Sequence, residues 1–111
     1  MSKTIFATGI DNDWTANQNN FFPIGNVRMA TDTTEINEQV GFRSTGVLSN
    51  LSLVVSNNSI TATSTLTIRK NAANGNQSVS IPASTTGSFV DYINKDIIYP
   101  TDLVNYLIVG G

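Results

Sequence analysis

An all-β chain, folded as an antiparallel, jelly-roll-like β-sandwich of seven to eight short strands, is predicted by three features of this sequence. Several segments alternate apolar and polar residues with period two. Gly, Pro, Asn and Asp clusters punctuate them at regular spacing. Helical periodicity is nearly absent. At 111 residues with 40% hydrophobic side chains, the chain suits one sandwich domain spanning 1–111. A domain of this size buries about 65% of the surface its unfolded chain exposes.

The elements follow in order. Thr4 to Thr8 reads as a short opening strand, and "GIDNDWTANQNN" after it is rich in turn residues. Phe21 to Met29 reads as extended, with Pro23 marking an edge or a strand start. Thr31 to Val40, "TDTTEINEQV", opens like a helix cap, but its apolar residues are only Ile36 and Val40. A loop or irregular strand is preferred there over a single helical turn. Gly41 to Arg43 begins another extended piece. Val47 to Val55 alternates, with Leu51, Leu53 and Val55 on one side and Asn50 and Ser52 on the other. Asn57-Asn58 predicts a tight turn, because Asn tolerates positive φ.

The stretch "SITATSTLTIRKNAANGNQSVSIP", residues 59–82, carries the most regular alternation. Ile60, Ala62, Leu66 and Ile68 are expected to point to the core, and the threonines between them outward. A β-branched but wettable residue fits such a face. A solvated sheet surface is the plainer reading of that row; a contact or lattice-like surface is the sharper one. A turn centred on Gly75 leads to a strand over Gln77 to Ile81, which "PASTTG" ends. Ser88 to Ile93 and Leu103 to Val109 complete the set. The expected core comprises Leu51, Leu53, Leu66, Ile68, Val79, Ile81 and Leu107.

Composition narrows the chemistry. There is no cysteine, so no disulfide framework or thiolate nucleophile, and no histidine, the commonest general base and transition-metal ligand. The many Ser and Thr hydroxyls lack their usual activating partner. Asp11 and Asp13 form a D-x-D, but Ala16 and Phe22 stand where an EF-hand needs Gly and Glu. An Asx turn is the plainer reading, and a looser calcium loop the alternative. Asp91, Asp96 and Asp102 are expected near strand ends and in turns, with Glu35 and Glu38 in the middle loop; no glycosidase-like cleft accompanies them. No enzyme activity, cofactor, metal or small-molecule substrate is expected.

Charge is sparse, at 13% of residues with a net of −2, and the six basic residues are scattered. Nucleic acid is therefore not an expected partner. No apolar run approaches the ~20 residues that span a bilayer, so no membrane partner is expected either. "MSKTIFATG" lacks the apolar core of a signal peptide, which predicts cytosolic synthesis. The sequons at Asn50, Asn57 and Asn76 are discarded on that ground.

The segment "DLVNYLIVGG" is apolar at nearly consecutive positions: Leu103, Val104, Tyr106, Leu107, Ile108 and Val109. A strand with one wet face should alternate, so this one is expected to be covered on both faces, by the core or by another subunit. A homo-oligomer follows. Ile5, Phe6, Phe21, Phe22, Tyr99, Leu103, Val104, Tyr106 and Ile108 are its candidate interface residues. "KTIFAT" is the candidate strand to cross into a neighbour. The aromatic residues otherwise serve core packing, or the stacking of sugars in a carbohydrate-binding module.

"TLTIRKNAANGNQSVSIPASTTGSFVD", followed by "DLVNYLIVGG", resembles a segment of phage and virion-associated β-sandwich proteins. Their pattern runs as a "TLTLRKNG" strand, a "VTIPAGTTG" strand and a later "GDLV" strand. "GVLSNLSLVVSNNS" resembles the strand upstream of it, so the likeness covers Gly46 onward. Ser84 and Thr101 replace glycines usual in that pattern, both at turns. The resemblance implies a jelly-roll virion component, a capsid decoration, fibre or minor structural protein. It would assemble in the host cytoplasm and dock on a major capsid or tail protein. A self-assembling extracellular filament subunit that exchanges strands is the alternative.

Overall fold

The computed structural model describes residues 6, 8, 14–24 and 32–111. Seven strands run through them: β1 Asn19–Phe22, β2 Val40–Gly41, β3 Gly46–Val55, β4 Ser64–Lys70, β5 Ala73–Ile81, β6 Gly87–Ile98 and β7 Leu103–Val109. The larger sheet has the order β1-β7-β4-β5, with β2 also on β7; the smaller is the β3–β6 ribbon. Every pairing is antiparallel, so the all-β antiparallel sandwich read from the sequence is the fold. The couples are nested: β4 with β5, β3 with β6, and β1 and β2 with β7. One long antiparallel ribbon, folded over so that its parts face each other, winds in the manner of a jelly roll.

The core lies between the sheets. Leu66 and Ile68 of β4, Val79 and Ile81 of β5, and Val104 and Ile108 of β7 line one side. Leu51 and Val55 of β3 and Ile98 of β6 line the other. Each such side chain contributes about 1.5–3 kcal/mol by leaving water. Leu53 is only half-buried, packed against this core. Phe22 closes the β1 end, its ring 4.9 Å from that of Tyr106.

Several expectations need correction. Strand β4 begins at Ser64, so Ile60 is buried from a loop and Ala62 is exposed. The threonine row is wet only in part: Thr61 and Thr63 are exposed from the loop before β4, Thr65 is half-buried, and Thr67 is buried, flanked across the ladders by Leu107 and Ser78. The β4–β5 turn sits on Asn71 and Ala72, both at positive φ (53° and 61°), not on Gly75. Residues 57–58 do not close a hairpin. They lie on the crossing from the ribbon to the larger sheet, where the Asn58 side chain donates to Pro82 and Thr85 carbonyls and accepts from Ile60 N–H. Glu35–Glu38 forms a 3₁₀ turn rather than a loop or irregular strand. Asp32 starts it, accepting from Thr34 N–H at 2.8 Å and from the Asn37 amide at 3.0 Å.

Strand β1 ends before Pro23, so the extended reading of Phe21 to Met29 holds for Phe21 and Phe22; residues 25–31 lie outside the described ones. The opening strand lies outside them too, apart from Phe6 and Thr8, neither of which is in a strand. Asp11 and Asp13 also lie outside the described residues. Strand β6 runs five residues beyond Ile93, to Ile98.

Candidate interaction surface

Carboxylates are the groups with which a site in this histidine- and cysteine-free chain would do chemistry. Asp102 directly precedes β7 and Asp96 lies two residues before the end of β6, as expected, whereas Asp91 is mid-strand. Asp91 and Asp96 are buried against the edge of β5. Asp96 accepts from Asn76 N–H at 2.7 Å, and from the Gln77 backbone and side-chain amides, both at 3.1 Å. Asp91 accepts from Ser78 N–H at 3.0 Å and, on its own strand, from Ile93 and Asn94 N–H. Two side chains of the ribbon thus satisfy backbone donors that β5, the last strand of its sheet, has no further strand to meet. Donation from the Asn94 backbone and side chain, then from Ser78, holds the Asp91 carboxyl well below the usual carboxylate range.

Asp102 and Glu35 are tied down as well. Asp102 accepts from Tyr99 N–H and from the Asn71 amide, each at 2.8 Å. Those donors lower its pKa, with Lys70 adding a smaller pull. Asn71 also accepts from Leu103 N–H, so the β4–β5 turn is stitched to the β6–β7 turn. Glu35 lies across the larger sheet's outer side, paired with Arg69 at 2.8 and 2.9 Å. Arg69, and behind it Asn105, hold the Glu35 carboxyl below its ordinary value. Burial, with the Asp32 charge behind it, raises Glu38. Asn105 is fully buried and its Oδ1 accepts no hydrogen bond. Among the described residues, no group of three or more acids could gather around a metal ion.

This outer cover explains the doubly apolar β7. The strand is central in its sheet, between β1 with β2 on one side and β4 on the other. Val104 and Ile108 face the core; on the opposite face Leu107 is buried and Asn105 lies beside the Glu35–Arg69 pair. One chain therefore covers the middle of this face, at Asn105 and Leu107, and leaves Leu103 and Val109 at the strand's ends exposed. Of the candidate interface residues, Phe21, Phe22, Val104 and Ile108 are already buried within the chain, and Tyr106 is half-buried. Tyr99 and Leu103 remain exposed. Phe6 is exposed on one side and stacks on Phe42 of its own chain, ring centres 5.5 Å apart. Ile5 lies outside the described residues.

The apolar surface that remains free is concentrated on the ribbon. Val47 pairs with Ile97 on its outward side, and both are exposed. Val54 is 75% exposed, and Tyr92 and Ile93 stand out where β6 bulges opposite Asn50. Beside them an open groove is lined by Val47, Lys70, Asn76, Lys95, Ile97 and Tyr99. Sequence reading offered residues of β7 together with Ile5, Phe6, Phe21, Phe22 and Tyr99 as interface candidates, and did not single out the exposed apolar side chains of the ribbon. The available signal was Tyr92-Ile93, two large apolar residues in succession next to a buried aspartate. No family model, curated protein or solved structure matches this chain.

Proposed function

We propose that the chain is a structural component of a virion, a capsid decoration, fibre or minor capsid subunit, which acts by self-association and by docking on a major capsid or tail protein. The observation that carries this reading is how the side chains divide. The carboxylates of Asp91, Asp96 and Asp102 are spent on backbone donors and that of Glu35 on Arg69. Large apolar side chains instead stand on the open face of a two-stranded ribbon. Apolar groups left in water along one ribbon suit burial against another protein surface. The nested winding and the resemblance of Gly46 onward to virion sandwich proteins point the same way.

Antibody raised against the purified chain provides the test. Immunogold labelling of concentrated particles from cells that make the protein should decorate particles at regular spacing. Label confined to the particle-free fraction would overturn the reading.

A further inference from the structure

We infer that the free edge of β3 is a homodimer interface, on which two copies pair antiparallel about a two-fold axis. This deepens the self-association part of the reading above and rests on it. Among the described residues, strand β3 pairs with β6 alone and its backbone makes no other backbone hydrogen bond; at its centre Leu51 N–H donates to the Gln77 side chain at 3.1 Å and the Asn50 carbonyl accepts from the Ser52 hydroxyl at 2.9 Å. Away from that centre the β3 edge carries no such caps among the described residues, whereas other edges are dressed. Carboxylates of Asp91 and Asp96 meet β5, and Asp32 pairs with Phe21 of β1. Of the devices that keep edge strands single, "GVLSNLSLVV" carries no charge and no proline, and its one irregularity is at Asn50.

The sequence of that edge is self-complementary. Residues 47–54 read "VLSNLSLV", which is the same from either end except for the central Asn50-Leu51. Antiparallel pairing with its own copy sets Val47 against the partner's Val54, Leu48 against the partner's Leu53, and Ser49 against the partner's Ser52. In a regular strand this would fail. Val47 and Val54 are an odd number of residues apart and would point to opposite faces. The irregularity at Asn50, with φ +56°, reverses the alternation at the centre of the palindrome. Val47, Ser49, Ser52 and Val54 are consequently all exposed on the outer side, while Leu48 and Leu53 are both half-buried on the inner side. Like then meets like on both faces, as an isologous contact requires.

Sedimentation velocity over a concentration series tests this, with two kinds of variant. Val54→Lys changes a side chain that is 75% exposed, so the fold, checked by circular dichroism, should be unchanged. Two such lysines per dimer should weaken association by roughly tenfold or more. Cysteines give the register, since the chain has none of its own. Val47→Cys mixed with Val54→Cys should form a disulfide-linked dimer on mild oxidation. Either variant alone should not, because its own copies of the thiol would lie roughly 24 Å apart at ~3.4 Å per residue. If the intact protein associates but Val54→Lys associates equally well and the mixture cross-links no faster than its parts, this pairing is wrong while self-association stands. A protein that stays monomeric at every concentration overturns the pairing, and the immunogold result then decides the particle reading by itself.

Discussion

Gly75 and Asp96 leave no room for each other: a β-carbon on Gly75 would sit 2.6 Å from Oδ1 of Asp96. Gly75 lies inside β5, where two extra residues bulge towards β6 between the pairs Thr67–Ser78 and Arg69–Asn74. The glycine admits the carboxylate that meets the Asn76 and Gln77 N–H groups. Gly75→Ala should push that carboxylate away and leave buried donors unpaired, at a cost of about 1–3 kcal/mol per group stranded. Chemical denaturation checks it, and unchanged stability would show that the bulge relaxes freely.

The turn before that bulge is strained in a correctable way. Ala72 holds φ +61° behind Asn71, in a two-residue hairpin connection whose geometry favours Asn-Gly. A β-carbon makes the left-handed region costly, and glycine's greater freedom in the unfolded chain offsets part of any gain. Ala72→Gly should raise stability by about 0.5–1 kcal/mol. The Ala72 carbonyl accepts from Arg69, and this bond is kept because it uses backbone. A lower unfolding midpoint would contradict the assignment of strain.

Those two neighbouring positions mark where the sequence is legible and where it is not. "NAANGN" announces a turn, and alternation brackets it. Which of its residues turn depends on what approaches from another strand, and Asp96 is twenty-one residues away in sequence. The bounds of β7 and the inward set of β4 and β5 follow from local pattern alone. That the middle of β7 would be covered on both faces was also legible. Its cover was not, because Glu35 reaches Arg69 from a segment with almost no apolar periodicity. Thr67 is buried for a related reason: no local rule says that a threonine will lie in the middle of a sheet.

Acid should unfold the protein through the carboxylates that cap backbone donors or pair with Arg69. Asp91, Asp102 and Glu35 have lowered pKa values when folded, so the folded state binds their protons less readily than the unfolded chain. Their contribution is complete above the unfolded carboxylate range, near pH 4, and is lost as pH falls through the folded values. Glu38 has the opposite sign. Its raised pKa makes it a burden above its folded value, and the burden disappears below the unfolded one. Thermal midpoints should therefore fall from pH 5 towards pH 2. Asp91→Asn should lower the midpoint at pH 7, with the gap narrowing as pH falls. Glu38→Gln should raise it at pH 7 and leave it unchanged at pH 3. A pH-independent deficit in Asp91→Asn would mean that shape rather than charge is what β5 needs.

The Arg69–Glu35 pair should act as a latch on the outer face of the larger sheet. Arg69 donates to both Glu35 oxygens, to the Asn74 side chain and to the Ala72 carbonyl, and lies 6.0 Å from the Phe21 ring centre. The two charged side chains are 17% and 14% exposed, so water only partly replaces a lost partner. Arg69→Ala leaves Glu35 over Asn105 without its counter-ion, at a cost of roughly 1–3 kcal/mol. The 3₁₀ turn should then lift from the sheet. Its link to β1, the reciprocal Phe21–Asp32 hydrogen bonds at 2.7 and 2.9 Å, should exchange amide hydrogens faster. Amides in the β4–β5 ladder, on the other side of Arg69, report whether the loss is local. Faster exchange at Phe21 and Asp32 with the Leu66 and Val79 amides unaffected identifies a latch. Uniform acceleration across both would mean that Arg69 supports the whole sheet instead.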